Sequence, residues 1–358
     1  MKRLALLLSL PLVFSATALA VDPVADATAR YLAGLPVRGT ALEELSHDPA
    51  WATHATDLDS AWERLEKQQL SRIREWAPDH LGTFYDDSGP MFYMFSGPDF
   101  LYAHAFFPNA NTYVLCGVEP IGPVPDVEKI ERSALLSALA NLRKSLDSAL
   151  SWSFFITKNM KIDLTQTQLN GTLPILYVFL ARAGCTLNSV SLVALDRNGD
   201  FVEGVKGTTP GVKIEFFGEN GQPQTLYYFS TDLADWAMKA NPGFANFCER
   251  QGPGLSLLKA ASYLMQSGNF SRVRDFLLTH SKVILQDDSG IPYHFFSKEK
   301  WEIEHCGRYV GPINTFKQYP QPDLAKDSAA SAPAALPFSF GYQWQPSRSS
   351  LIIAVPKE

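Results

Sequence analysis

The chain is poor in cysteine, has no cluster of like charges, and has no long apolar run beyond its first residues. Each of these absences excludes something. Four cysteines (Cys116, Cys185, Cys248, Cys306) in 358 residues are too few for a disulfide scaffold. Four allow three pairings, and the sequence selects none of them. No CxxC occurs, so a thioredoxin-type redox motif and a zinc ribbon are both unsupported. Lys and Arg number 31 against 37 Asp and Glu, for a formal net charge of −6. Without a basic patch the chain lacks the footprint of a nucleic-acid or anionic-membrane binder. The seven histidines, at 47, 54, 80, 104, 280, 294 and 305, form neither HExxH nor another metal-binding spacing, so no metal site is predicted. The GxSxG elbow of the α/β hydrolases is also missing.

Residues 1–20 read as an export signal. Lys2 and Arg3 make a basic start, residues 4–14 an apolar run, and Ala18, Leu19 and Ala20 a small-residue cleavage site. The expected mature chain begins near Val21 and works in the periplasm or outside the cell. No Cys follows the cleavage site to carry a lipid. The longest later apolar stretch, 173–183, falls well short of the ~20 residues of a membrane span and reads as a buried helix. After signal cleavage no integral membrane segment is expected.

What is present is a core-forming composition, with 12% aromatic and 19% charged residues. Apolar spacing predicts helices at 24–35 and 58–76, the second starting at Asp57 or Asp59, and these helices are candidates to cover a site. Further helices are predicted at 126–150, from Thr172 and Pro174 onward, and at 232–240, 253–265 and 271–280. Strands are predicted at 151–157, 189–195, 212–217, 225–229, 282–286, 292–296, 301–309, 337–344 and 351–355. Residues 325–335, rich in Ala, Ser and Pro, read as an exposed loop. The expected organisation is a signal peptide (1–20), an N-terminal helical segment (21–90) and one α/β domain (91–358). The fold class is a Rossmann-like mixed sheet with flanking helices and antiparallel C-terminal strands.

The most informative stretch is FYMFSGPDFLYA at 92–103, followed by TYVLCGVEPIG at 112–122. It reads as strand, tight turn, helix, strand, with the acid Glu119 about 20 positions after the turn glycine. That is the layout of a βαβ unit whose turn and acid meet a ligand at the carboxyl edge of a parallel sheet. Ser96, Gly97, Asp99 and Glu119 are the candidate ligand-binding residues, with Tyr93 and Tyr102 as flat apolar contacts. One glycine, and an acid already facing the positive end of the helix, argue against phosphate and for a neutral or cationic ligand. Ser and Asp also start helices without any ligand, and Glu119 would equally suit a salt bridge to a structural Arg. A second turn, at Ser230 and Asp232, repeats the pattern and would share the edge if both strands are parallel. The acids Asp287 and Asp288 read as an exposed, solvated turn. Asp196, Asn198 and Asp200 have the early spacing of a calcium loop, but Phe201 stands where that loop needs Gly, so a hairpin turn at Asn198 and Gly199 is preferred.

The blocks at 95–103, 113–122 and 284–293 resemble a family of secreted bacterial proteins of unknown function, which implies export and no particular activity. The order of elements is also similar to Rossmann-like S-adenosylmethionine-dependent methyltransferases. That resemblance implies an acid after the second strand and a C-terminal antiparallel hairpin, here 337–344 with 351–355. The glycine-rich first loop of those enzymes is reduced here to Gly97.

Three functions are therefore carried forward. The first is a small-molecule-binding protein with its site at the carboxyl edge. The second is an extracytoplasmic hydrolase, with Ser96 or Asp99 in the chemistry and His104 as base. The third is an envelope interaction or structural protein without a small-molecule site. The sequence identifies no cofactor.

Overall fold

The computed structural model describes residues 22–152, 168–203 and 208–357. Its N-terminal part is helical, as expected: Pro23–Leu32 (α1), Leu42–Leu45 (α2), Pro49–Leu65 (α3) and Ser71–Leu81 (α4). The helix predicted to begin at Asp57 or Asp59 begins at Pro49. Asp48 is extended, its carboxylate accepts from the Ala50 N–H at 2.8 Å, and Pro49 fills the first turn. A π-turn, Glu66–Leu70, joins α3 to α4 without a break.

The βαβ unit follows as predicted: Pro90–Tyr93 (β1), Phe100–Phe106 (α5) and Thr112–Gly117 (β2), with β1 and β2 parallel. Next come Arg132–Trp152 (α6), Leu173–Arg182 (α7), Thr186–Leu195 (β3), Phe201–Val202 (β4), Thr209–Phe217 (β5) and Pro223–Ser230 (β6). The helix α6 starts later than predicted because Glu131 accepts from the Ser133 and Ala134 N–H groups and fixes the first turn there. The strand predicted at 151–157 falls on the end of α6 and otherwise lies outside the described residues. β3 and β4 form the predicted hairpin around Gly199 (φ +82).

Asp235–Ala240 (α8) and Gly243–Arg250 (α9) lead to the main correction. The predicted helix 253–265 is Gly254–Leu258 (β7), a central strand paired with β1 on one side and with Ser281–Gln286 (β8) on the other. Ser271–His280 (α10) lies between β7 and β8. The rest is Trp301–Gly307 (β9), Pro322–Ser331 (α11) and Ser350–Pro356 (β10). Thus part of the loop predicted at 325–335 is helix. The strand predicted at 292–296 is a 3-10 turn, Tyr293–Phe295, and 337–344 holds only an isolated bridge between Phe340 and Gln343. The C-terminal antiparallel hairpin exists, but β9 pairs with β10 to make it.

The ten strands among the described residues share one sheet, in the order β4-β3-β5-β6-β2-β1-β7-β8-β10-β9. The run from β6 to β8 is parallel, and antiparallel strands extend it at both ends. The chain moves outward from β1 to β2 and β6, then returns to β7 on the other side of β1. That reversal leaves a crevice beyond the carboxyl ends of β1, β2 and β7. Side chains alternate between two apolar layers. Tyr113, Leu115, Leu255 and Leu257 face the layer that takes Tyr31, Leu32 and Leu65 from the N-terminal helices. Phe92, Val114, Cys116 and Leu258 face the layer holding Phe244 and Phe247 of α9 and Phe276 of α10. All four cysteines are free and buried. No helix among the described residues is long and apolar enough to cross a membrane.

The strand assignment of 254–258 is testable. Leu257 is fully buried in the sheet, whereas Leu264 is half-buried beside the crevice. Leu257→Ala should cost about 2–5 kcal/mol, and Leu264→Ala much less, in urea unfolding. In a helix over 253–265 these positions, seven apart, would share a face and lose similar stability.

Candidate functional site

A cavity of ≈ 750 Å³ opens at the carboxyl edge, lined from the turns after β1, β2, β6 and β7. Residues between β9 and β10 close over it and contribute Ile313, Thr315, Phe316 and Tyr342. None of the N-terminal helices contributes to its lining, so the expectation that they cover the site is not met. β1, β2 and β6 are parallel in one sheet, which brings the two similar turns to one edge. Ser96, Gly97, Asp99, Glu119 and Asp232 all line the cavity, but Ser230 does not.

Asp99 sits just before α5, yet its carboxylate makes no capping bond. It accepts instead from the Tyr93 hydroxyl at 2.9 Å and the Lys259 ammonium at 2.8 Å. The helix-start reading is thus corrected: the acid is the anion of a buried pair. Asp99 is 5% exposed and Lys259 3%. The Lys259 ammonium also lies 3.8 Å from the Tyr102 ring centroid, in cation–π contact. Burial, and then the Asp99 charge, hold the Tyr93 hydroxyl protonated well above its usual range. Tyr93 lines the cavity with its hydroxyl bonded to Asp99, whereas Tyr102 is absent from the lining and instead packs its ring against Lys259. The other aromatic residues that line the cavity are Phe95, Phe270, Phe316 and Tyr342.

Glu119 is placed differently. It is 3% exposed, two residues past the end of β2. The Tyr228 hydroxyl lies 3.1 Å from its backbone oxygen and 3.3 Å from its carboxylate Oε2. No Lys or Arg among the described residues pairs with it, so the salt bridge to a structural Arg is absent. Two glycines make room for the carboxylate. A Cβ on Gly117 would overlap Glu119 Oε2, and one on Gly97 would touch it at 3.7 Å. Gly97 has φ +54, a left-handed backbone that glycine adopts freely.

Backbone strain collects at this cavity. Of five non-glycine residues with positive φ among those described, four are Phe95 (+61), Ala260 (+54), Ser262 (+54) and Tyr263 (+55). The first three line the cavity, and Tyr263 follows directly. Such residues cost of order 1–3 kcal/mol each and persist only where their surroundings fix them. The residues after β8, with Tyr342, hold the segment 260–263. The Ala260 N–H donates to Asp287 at 3.3 Å, the Ala261 N–H to Ser289 at 2.7 Å, and the Tyr263 hydroxyl to Asp288 at 2.6 Å. The Tyr342 hydroxyl donates to the Ala260 carbonyl at 2.8 Å. Asp287 and Asp288 are thus not a solvated turn; Asp287 is 3% exposed. Burial, followed by the Asp287 charge, pushes Asp288 up to about 7.

The hydrolase candidates are not brought together. Ser96 Oγ donates to the Gly97 and Cys116 carbonyls, and no imidazole is bonded to it. His104 is absent from the cavity lining. Its ring packs between Phe100 and Tyr113, and burial lowers it to about 4. Lys259, Gly117, Phe316 and Tyr342 were not predicted as site residues. The sequence signal for Lys259 was its place directly after a short apolar run, and that run had been assigned to a helix.

No family model, curated protein or solved structure matches the chain.

Two outcomes follow from this geometry. Lys259→Met leaves the Asp99 carboxylate buried and unpaired, and should cost about 3–5 kcal/mol. The double variant Asp99→Leu/Lys259→Met should regain much of that loss in denaturant unfolding, giving a large coupling energy in the double-mutant cycle. The second outcome concerns pH. Asp288 has a folded-state pKa above its ordinary 3.8, so folding favours its neutral form. That contribution is full below pH ~4 and lost as pH rises towards ~7. Asp288→Asn removes this slope, so its stability relative to the parent should increase from pH 4 to 7 in thermal melts.

Proposed function

We propose that the protein binds a neutral or cationic small molecule in the carboxyl-edge cavity. The observation that carries this reading is the buried Glu119 carboxylate, seated against two glycines with a tyrosine hydroxyl as its side-chain partner and no cation. Lys259, the one cation among the described lining residues, is already matched by Asp99. Glu119 and Asp232 therefore leave the cavity negative, which disfavours phosphate and other anions. A ligand with hydroxyl or ammonium donors would satisfy Glu119, and the half-buried Phe95, Phe270, Phe316 and Tyr342 suit a flat apolar portion. The volume lies within the ~300–1,000 Å³ range of small-molecule sites. The methyltransferase-like order of elements supports the same placement, with the acid after the second strand facing ligand hydroxyls. The basic start and apolar run of residues 1–20 support an extracytoplasmic place of action.

Native mass spectrometry of the purified protein, beside a denatured sample, tests the proposal together with Glu119→Gln. The expected result is an extra organic mass that is lost on denaturation and absent from Glu119→Gln. The melting temperature of the ligand-free variant should be unchanged or higher, because an unmatched buried charge has been removed. A bare polypeptide mass, combined with a lower melting temperature for Glu119→Gln, would make the acid structural and overturn the reading.

A further inference from the structure

A second cluster of chemically able side chains lies away from the cavity. His80 is in the last turn of α4. Glu304 and Cys306 are two apart on β9, the edge strand of the sheet, so both project from one face. His80 Nδ1 is 2.9 Å from Glu304 Oε1, and the Cys306 thiol is 3.4 Å from the same oxygen. One ligand atom from each residue lies within 4.8 Å of the other two.

We propose that His80, Glu304 and Cys306 form a binding site for a zinc-class divalent ion, with water completing the coordination. A tetrahedral ion with bonds of about 2.0–2.3 Å holds its ligand atoms roughly 3.3–3.7 Å apart. The two separations to Glu304 Oε1, 2.9 and 3.4 Å, are near that spacing, the third is within 4.8 Å, and side-chain shifts complete the set. The site is built from rigid pieces. The His80 ring stacks on Trp76, with centroids 4.1 Å apart and planes 14° from parallel. Trp76 is in turn held edge-on by Phe106 and Phe338. The sulfur ligand sits inward, since Cys306 is 5% exposed. The imidazole and carboxylate are on the outer side, with side chains 37% and 50% exposed, so the ion would be reached from solvent.

The donor set points to zinc rather than calcium or magnesium, because those ions take oxygen ligands and a thiolate does not suit them. An ordinary surface pair explains less. An exposed His–Glu contact contributes little to stability, and it gives no role to a thiol directed at the same carboxylate oxygen. Metal binding would release the Cys306 thiol proton to solvent and replace the His80–Glu304 contact, leaving Cys306 as a thiolate ligand. His80 is more than two hundred positions from Glu304 and Cys306 in the chain, which is why no spacing motif announced the three together.

Cobalt(II), titrated into the reduced purified protein as a zinc surrogate, tests the site. The expected result is a thiolate-to-cobalt charge-transfer band that saturates at one equivalent and is bleached by zinc. Cys306→Ser should abolish the band. His80→Ala, at an exposed side chain, should weaken binding roughly tenfold or more. Cys248→Ser should leave both unchanged. The proposal is overturned if the parent protein shows no charge-transfer band. It is also overturned if the band survives Cys306→Ser, or if His80→Ala binds cobalt as tightly as the parent.

Discussion

The ion pair between Asp99 and Lys259 is the constraint on which the carboxyl edge depends. It ties the turn after β1 to the loop after β7 at the point where the strand order reverses. Two charges buried this deeply are tolerated only because each is further satisfied: Asp99 by the Tyr93 hydroxyl, Lys259 by the Tyr102 ring. The pair also sets the electrostatics of the cavity. It neutralises the lysine, so no cation among the described residues matches the negative charge of Glu119. The loop that carries Lys259 continues into the strained residues Ala260, Ser262 and Tyr263. The acids and serine after β8 hold that strain from behind. Pairing, strain and the open carboxylate therefore form one connected arrangement on four strand ends.

Much of this was legible in the sequence. The βαβ unit at 90–117 has short apolar strands bounded by a Gly-Pro turn, and its acid follows at the position such units use. That was enough to put Ser96, Gly97, Asp99 and Glu119 at one edge. The strands at 212–217 and 225–229 were equally clear, because their apolar residues alternate on either side of a turn containing Gly218, Asn220 and Gly221. The role of Asp99 was not legible. A local reading makes it a helix starter, and only the approach of β7, about 160 residues later, supplies Lys259.

The misreadings share a physical cause. Residues 254–258 are buried at every position, Ser256 included, because both faces of β7 are covered, so they lack the polar-apolar alternation that marks a half-exposed strand. Joined to the apolar residues after Lys259, they imitate a helix. The pair Asp287 and Asp288 looked solvated because adjacent acids usually are. Here the β8 turn is packed under another loop, and the acids bond its strained backbone. Residues 325–331 have an Ala- and Ser-rich composition that suits a loop, yet they form helix after Pro322 fixes the first turn.

A crystal structure of the protein purified from its native host would test the central claim most directly. The account predicts electron density for an organic molecule in the carboxyl-edge cavity, with a donor atom in hydrogen-bond contact with the Glu119 carboxylate and an apolar portion against Phe316 and Tyr342. It also predicts that the bond between Asp99 and Lys259 is intact beneath it. A cavity holding only ordered water, with Glu119 turned onto a protein cation, would contradict the account.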